Sequence, residues 1–220
     1  MRTDRMVRRV GIAASVAMLL AVGACSSTTS DTPAGDKPTS VPMSASVTVS
    51  RGVPARTAPG TGLDYGATAT LPADAFATSG ALALFTVTGI TPAEGVPETA
   101  TNGGVPYFIY VTVTSLANRP SAAPGVVGIA GSPDGRAAAL TVPPPTGLPS
   151  CTATAKPERM RRGESYATCL LALADPGQKL QQVIYWADTS GADAFDYKTS
   201  PVVWRNPAAV APSGSPAPTN

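Results

Sequence analysis

The feature that most constrains this chain is a periodicity of two. Phe85, Val87 and Gly89 fall on one side of a short run while Thr86 and Thr88 fall on the other. Ile109, Val111 and Val113 alternate with Tyr110, Thr112 and Thr114 in the same way. Successive side chains of a strand point to opposite faces, so these runs predict two strands. Further runs are Val126 to Ile129 before Ser132-Pro133-Asp134-Gly135 and Ala137 to Val142 after it, which predict a pair of strands joined by a hairpin turn. Thr152 to Ala155, Tyr166 to Leu173 (with Cys169, Leu171 and Leu173 on one face), Leu180 to Trp186 and Pro201 to Trp204 complete the set. Pro143-Pro144-Pro145 ends any strand before it, because proline donates nothing to a ladder. Helical periodicity is missing after residue 24, apart from a short turn near Ala73 to Ala77. About seven to eight short strands at this spacing predict an all-β, antiparallel sandwich over residues 63–204.

The flanks differ. From Cys25 to Gly62 the chain is dominated by Ser, Thr, Pro, Gly and Ala, a composition that buries too little apolar area to offset its ordering entropy. A flexible tether over 25–62 is expected, with Val47-Thr48-Val49 able to add a short strand. Residues 205–220, rich in proline and small side chains, predict a disordered tail.

At the amino end Arg2, Arg5, Arg8 and Arg9 precede an uncharged run from Val10 to Val22. That run suits a secretory leader and falls short of the roughly 20 residues of a spanning helix. Val22, Gly23 and Ala24 followed by Cys25 resemble the lipobox of bacterial lipoproteins. The resemblance implies that residues 1–24 are a signal peptide, that Val22, Gly23 and Ala24 are read by the lipoprotein signal peptidase, and that the Cys25 sulfur carries diacylglycerol. Palmitate-type chains at Cys25 would then hold the protein on the extracytoplasmic face of the cell membrane, since two acyl chains anchor stably where one is marginal. The competing reading is an ordinary secreted protein in which Cys25 merely lies near the cleavage site.

Of 16 basic and 14 acidic residues, four arginines and one aspartate belong to residues 1–24, which leaves 12 and 13 and a net charge of about −1. Nothing electrostatic recommends nucleic acid as a partner. With Cys25 assigned to lipid by the resemblance, Cys151 and Cys169 remain as an even pair in an oxidising compartment and are expected to form a disulfide. Their spacing is not that of a Cys-x-x-Cys redox site.

The run Tyr107-Phe108-Ile109-Tyr110-Val111-Thr112-Val113-Thr114, then Asn118, the Pro-Asp-Gly turn, Arg162-Gly163-Glu164-Ser165 leading to Cys169, and a closing strand after Pro176-Gly177 together resemble the telokin-like, immunoglobulin-like extracellular domains of lipoproteins and secreted antigens in high-GC Gram-positive bacteria. The resemblance spans roughly residues 79–204 and implies a fold and an envelope location, without an assigned activity. Antibody-type domains depart from it, because their bridge pins two sheets across many tens of residues.

The chain contains no histidine, which excludes a Ser-His-Asp triad and removes the commonest metal ligand. No catalytic residue, metal ligand or cofactor site is expected, and an enzyme is not. Gly60-Thr61-Gly62 with Gly66 reads as a linker turn before a phosphate cradle. Asp134-Gly135 reads as a hairpin turn before a calcium loop. Asp188, Asp193 and Asp196 read as a solvated acidic loop before a weak cation site. Lys156, Arg159, Arg161 and Arg162 form a basic cluster, a candidate contact for anionic lipid or wall polymer and otherwise a charged, soluble hairpin. Tyr107, Phe108, Tyr110, Tyr185, Trp186 and Trp204 read as core packing before a carbohydrate platform. The expected function is a membrane-anchored, non-enzymatic binding or interaction module for an envelope protein or polymer; the alternative is a small-molecule or cation-binding lipoprotein.

Overall fold

The computed structural model describes residues 41–77, 80–152, 155–187 and 195–206. Val22, Gly23, Ala24, Cys25, Asp188 and Asp193 lie outside the described residues, as do the rest of the leader and nearly all of the expected tail. Eleven strands occur among the described residues: β1 (Gly62–Asp64), β2 (Thr68–Pro72), β3 (Leu82–Pro92), β4 (Val105–Ser115), β5 (Ser121–Ala122), β6 (Ile129–Ser132), β7 (Leu140–Val142), β8 (Arg159–Met160), β9 (Ser165–Ala174), β10 (Gln182–Tyr185) and β11 (Val202–Arg205). One helix of a single turn, α1 (Glu98–Thr101), joins β3 to β4, and the residues near Ala73 form turns only.

The strands build a sandwich. One sheet has the order β2-β3-β4-β9-β7, the other β1-β11-β10-β6, and β5 pairs with β8 in a separate ribbon. Between the two sheets, Leu71, Phe85, Val87, Ile109, Val111 and Val113 meet Ile129, Val183, Tyr185, Val202 and Trp204 in one continuous core. The alternation read from the sequence therefore selects the inner face of each strand. Among the described residues every pairing is antiparallel except β1 with β11, which run parallel, with Leu63 opposite Trp204.

The outer face of the larger sheet is also covered, which alternation does not announce. Phe108, Tyr110, Leu171 and Leu173 point away from the sandwich core, yet they are buried together with Leu148, Cys151 and Cys169 in a second cluster. Irregular segments supply the cover, Ala93 and Val96 after β3 among them, and two of these segments are tied down by specific bonds. The loop after β7 brings Leu148 and Cys151 down, tied by the Cys151–Cys169 disulfide, with Cα atoms 5.5 Å apart, and by the Tyr110 hydroxyl donating to the Ser150 carbonyl at 2.8 Å. The other of the two is the segment from Val41.

That segment corrects the expected tether over residues 41–62. Ala45 donates its amide to Thr112 Oγ1 at 2.8 Å, Thr88 Oγ1 donates to the Pro42 carbonyl, and Val41 sits so close over Gly89 that a Cβ there would lie 2.6 Å from Val41 Cγ1. Further along, Thr57 exchanges hydrogen bonds with Thr70, and Tyr197 donates its hydroxyl to the Thr57 carbonyl. A segment poor in apolar bulk is held here by main-chain groups bonding to a threonine-rich sheet, a mechanism composition does not register. Val47-Thr48-Val49 joins no ladder.

A second correction concerns Ser132-Pro133-Asp134-Gly135. It is not a hairpin turn, because β6 pairs with β10 in one sheet whereas β7 pairs with β9 in the other. The turn carries the chain across the sandwich edge and is held by its own side chains: Asp134 Oδ1 accepts from the amides of Arg136 and Ala137 at 2.8 Å each, and Ser132 Oγ accepts from Gly135. Such a side-chain-held turn is complete without a ladder on either side. These bonds, that from Ala137 first, hold the exposed Asp134 carboxyl below its ordinary pKa. A carboxyl depressed in the folded state stabilises above its unfolded pKa, and the contribution is lost as pH falls through the folded value. Asp134→Asn should therefore flatten the loss of melting temperature on acidification from neutral pH to about pH 3; an unchanged acid limb by scanning calorimetry would contradict this.

The expected strand over Thr152 to Ala155 falls partly outside the described residues, and Thr152 itself is irregular. β4, β9, β10 and β11 lie within two residues of their expected places, whereas β6 and β7 begin three residues later than expected, β3 extends three residues beyond its run at each end, and β1, β2, β5 and β8 were not expected.

Candidate functional site

β6 and β7 form the open edges of their respective sheets, and a cleft of about 750 Å³ lies where these edges separate. Residues 126–130, 138–144 and 168–170 line it together with Trp186. None of these residues is charged, and among the described residues the hydroxyls of the lining come from Thr141 and Thr168. The volume falls in the range of about 300–1,000 Å³ usual for ligand sites. Three large apolar side chains at the cleft are well exposed for their type: Leu140 at 61%, Val127 at 54% and Trp186 at 39%.

The placement follows from the sequence step by step. Tyr185 ends β10 with its ring in the core, so the next side chain, Trp186, points to the opposite face. Gly128 lets the wall close over Tyr185. Its φ is +90°, and an added Cβ would come 3.0 Å from Tyr185 Cε2, so any side chain there would be both strained and obstructed. Cys169 reaches the cleft from β9, which puts the disulfide directly behind its lining.

A smaller hollow of about 210 Å³ shares Val127, Gly128 and Trp186 with the cleft and adds Ala75, Phe76, Ala187 and Lys198. Phe76, 78% exposed, extends the apolar surface beyond the Trp186 ridge. Beneath this end of the sandwich the Arg56 guanidinium stacks on Phe195 at 4.5 Å. Tyr185 packs edge-on against Tyr197, with centroids 5.1 Å apart. Burial pushes the Tyr197 phenol up to about 12.

The basic cluster is dispersed by its own hydrogen bonds. Arg162 donates from Nη1 to the Leu116 carbonyl and from Nη2 to the carbonyls of Ser50 and Gly52, pinning the N-terminal segment to the loop before β9. Arg159 Nη2 donates to the Pro120 carbonyl. Lys156 and Arg161 are exposed. Neither pair borders the cleft.

Other sequence candidates resolve differently. The amides of Gly60 and Gly66 already donate to the carbonyls of Ser200 and Val87, so they form turns in place of a phosphate cradle. Asp196 Oδ1 accepts from the amides of Lys198 and Thr199. Among the described residues no group of three or more His, Cys, Asp or Glu is placed to hold a metal ion, and no helix is long and apolar enough to cross a membrane. Of the six aromatics, Tyr107, Phe108, Tyr110, Tyr185 and Trp204 are buried and Trp186 lines the cleft. The sequence did not mark Val127, Leu140, Thr168 and Leu170 as residues of a site. The separation in sequence between residues 126–130 and 168–170 leaves no local signal of their meeting.

No family model matches the chain, and no curated protein matches it. Among solved structures, it is similar to MPT63, a secreted protein from Mycobacterium tuberculosis, with a TM-score of 0.43 and 12% identity over 68% of this chain and 99% of that one.

Proposed function

We propose that this protein is a lipid-anchored, non-enzymatic binding module of the cell envelope, whose β-sandwich takes an uncharged, apolar ligand into the cleft between the edges of its two sheets. The observation that carries the reading is the cleft itself: about 750 Å³, lined without a charged residue among the described residues, and rimmed by Leu140, Val127 and Trp186. Exposed apolar side chains around a concavity lose contact with water when a ligand fills it, which contributes about 25 cal/mol per Å² of apolar surface covered. The absence of charge among the described residues of the lining favours a neutral ligand over a cation, since an ion would shed water against apolar walls. Anchoring through Cys25 is supported by the order of basic leader, uncharged run and lipobox.

The neutral, solvent-sensitive dye Nile red tests the cleft. It should bind the full-length protein with rising emission, and Leu140→Lys, which places a charge at the rim on an exposed side chain, should weaken binding about tenfold, equivalent to about 1.4 kcal/mol. Failure of the dye to bind, or equal binding by Leu140→Lys, would remove the cleft from the function. Separately, Cys25→Ser should move the protein from the membrane fraction to the soluble one; retention in the membrane would remove the anchor.

A further inference from the structure

β9 is longer than the strand beside it. On one side it pairs with β4 throughout, from Ser165 opposite Thr114 to Ala174 opposite Val105. On the other side β7 reaches only Leu171, Ala172 and Leu173. β7 stops at Val142 because Pro143, Pro144 and Pro145 follow, and proline cannot continue the ladder. Residues 165–170 thus have no strand partner on this side among the described residues. Along an antiparallel strand, alternate residues direct both N–H and C=O to the same side. Every second residue of this stretch therefore aims both groups away from β4. At residues 168–170 that bare edge opens onto the cleft.

The two properties of the site, apolar walls and an unpaired main-chain edge, restrict what suits it. An alkyl chain would cover the walls and bury the edge groups of β9 without partners, which costs the desolvation of each. A charged segment would lose its hydration against a lining whose described residues carry no counter-charge. An extended, neutral peptide answers both properties: its main chain pairs with the edge, and its alternate side chains cover Trp186 and Leu140. We propose that the ligand of the cleft is such a peptide segment, added to β9 as the strand that β7 fails to provide. This rests on the cleft being the binding site and names the class of its partner. Open strand edges are ordinarily blocked by charge, proline or cover; here the triple proline clears the edge, and the apolar walls restrict its use to one kind of strand.

The test uses the full-length protein with Nile red as the reporter of cleft occupancy. The probe is an acetylated, amidated hexapeptide alternating valine and threonine, compared with two versions N-methylated at alternate residues, one in each register. N-methylation removes donors while keeping apolar surface. The parent peptide should displace the dye and slow amide exchange within residues 168–170, and methylation in one register should weaken displacement about tenfold or more, with the other register affected little. Displacement by both methylated peptides as effective as by the parent would overturn strand addition, as would a parent peptide that leaves the dye in place. In either case dye binding sensitive to Leu140→Lys would stand, so the cleft would be kept and only the peptide lost. If the dye itself fails to bind, the cleft reading and this inference fall together.

Discussion

Trp204→Ala is expected to remove about 3–5 kcal/mol of folding stability, the range for deleting a large aromatic from a core. Trp204 is fully buried. It stands at the centre of the smaller sheet, with Leu63 on one side and Val183 on the other. Its indole Nε1 donates to the Ala67 carbonyl at 3.0 Å, so truncation opens a cavity and also leaves that carbonyl without its donor. Against a total of about 5–15 kcal/mol for a domain of this kind, the loss brings the fold close to its threshold. Equilibrium urea unfolding of wild type and variant measures it, and a change below about 1 kcal/mol would show that the core is not organised around this residue. Trp204→Phe separates the two contributions, since it keeps most of the ring while abolishing the hydrogen bond.

The second large effect is expected from the disulfide. Replacing Cys151 and Cys169 together by alanine removes a link spanning 18 residues, which costs about 3 kcal/mol on the chain-entropy estimate. The structure adds a local consequence. Cys151 and Leu148 cover Phe108 and Tyr110 on the outer face of the larger sheet, and Cys169 contributes to the cleft wall. Loss of the bridge should therefore be read in two places: a fall in unfolding free energy of about 3 kcal/mol, and faster amide exchange across residues 146–151. Reduction of the wild type by dithiothreitol should reproduce both. A double variant as stable as the wild type would mean that packing of Leu148 and the Tyr110–Ser150 hydrogen bond suffice to hold the loop.

The residues that were legible in the sequence are those whose environment repeats. β3, β4 and β9 are long, their inner positions are apolar at every second place, and the period identified strand and face together. The Cys151–Cys169 pairing was legible as the even pair left once the lipobox resemblance set Cys25 aside, and it is present. What the sequence concealed lies wherever contact depends on a segment without period. Phe108 and Tyr110 are buried as their reading as core aromatics expected, but on the face of β4 that alternation leaves outside, where Val41 and Leu148 arrive from irregular segments. Ser132-Pro133-Asp134-Gly135 carries the signature of a turn in general, and its side-chain bonds serve a crossing between sheets as well as they would serve a hairpin. Arg162 looked like surface charge because its three carbonyl acceptors, on Leu116, Ser50 and Gly52, leave no trace in composition. The cleft was hidden most completely, since it exists only through the meeting of residues 126–130 with residues 168–170.

The parallel pair β1 and β11 has a kinetic consequence. It joins the first strand to the last, Gly62 to Val203 and Asp64 to Arg205, so the contact of greatest sequence separation closes the smaller sheet. Loop-closure entropy makes such contacts slow to form. A chain that emerges amino end first can assemble β2, β3 and β4 by local pairing, but β1 and one side of β10 stay bare until β11 arrives, bringing Trp204 with it. Completion of the core thus waits for the final residues of the domain, and a chain cut short before Val202 exposes two open strand edges at once, a form suited to recognition by proteases or to aggregation.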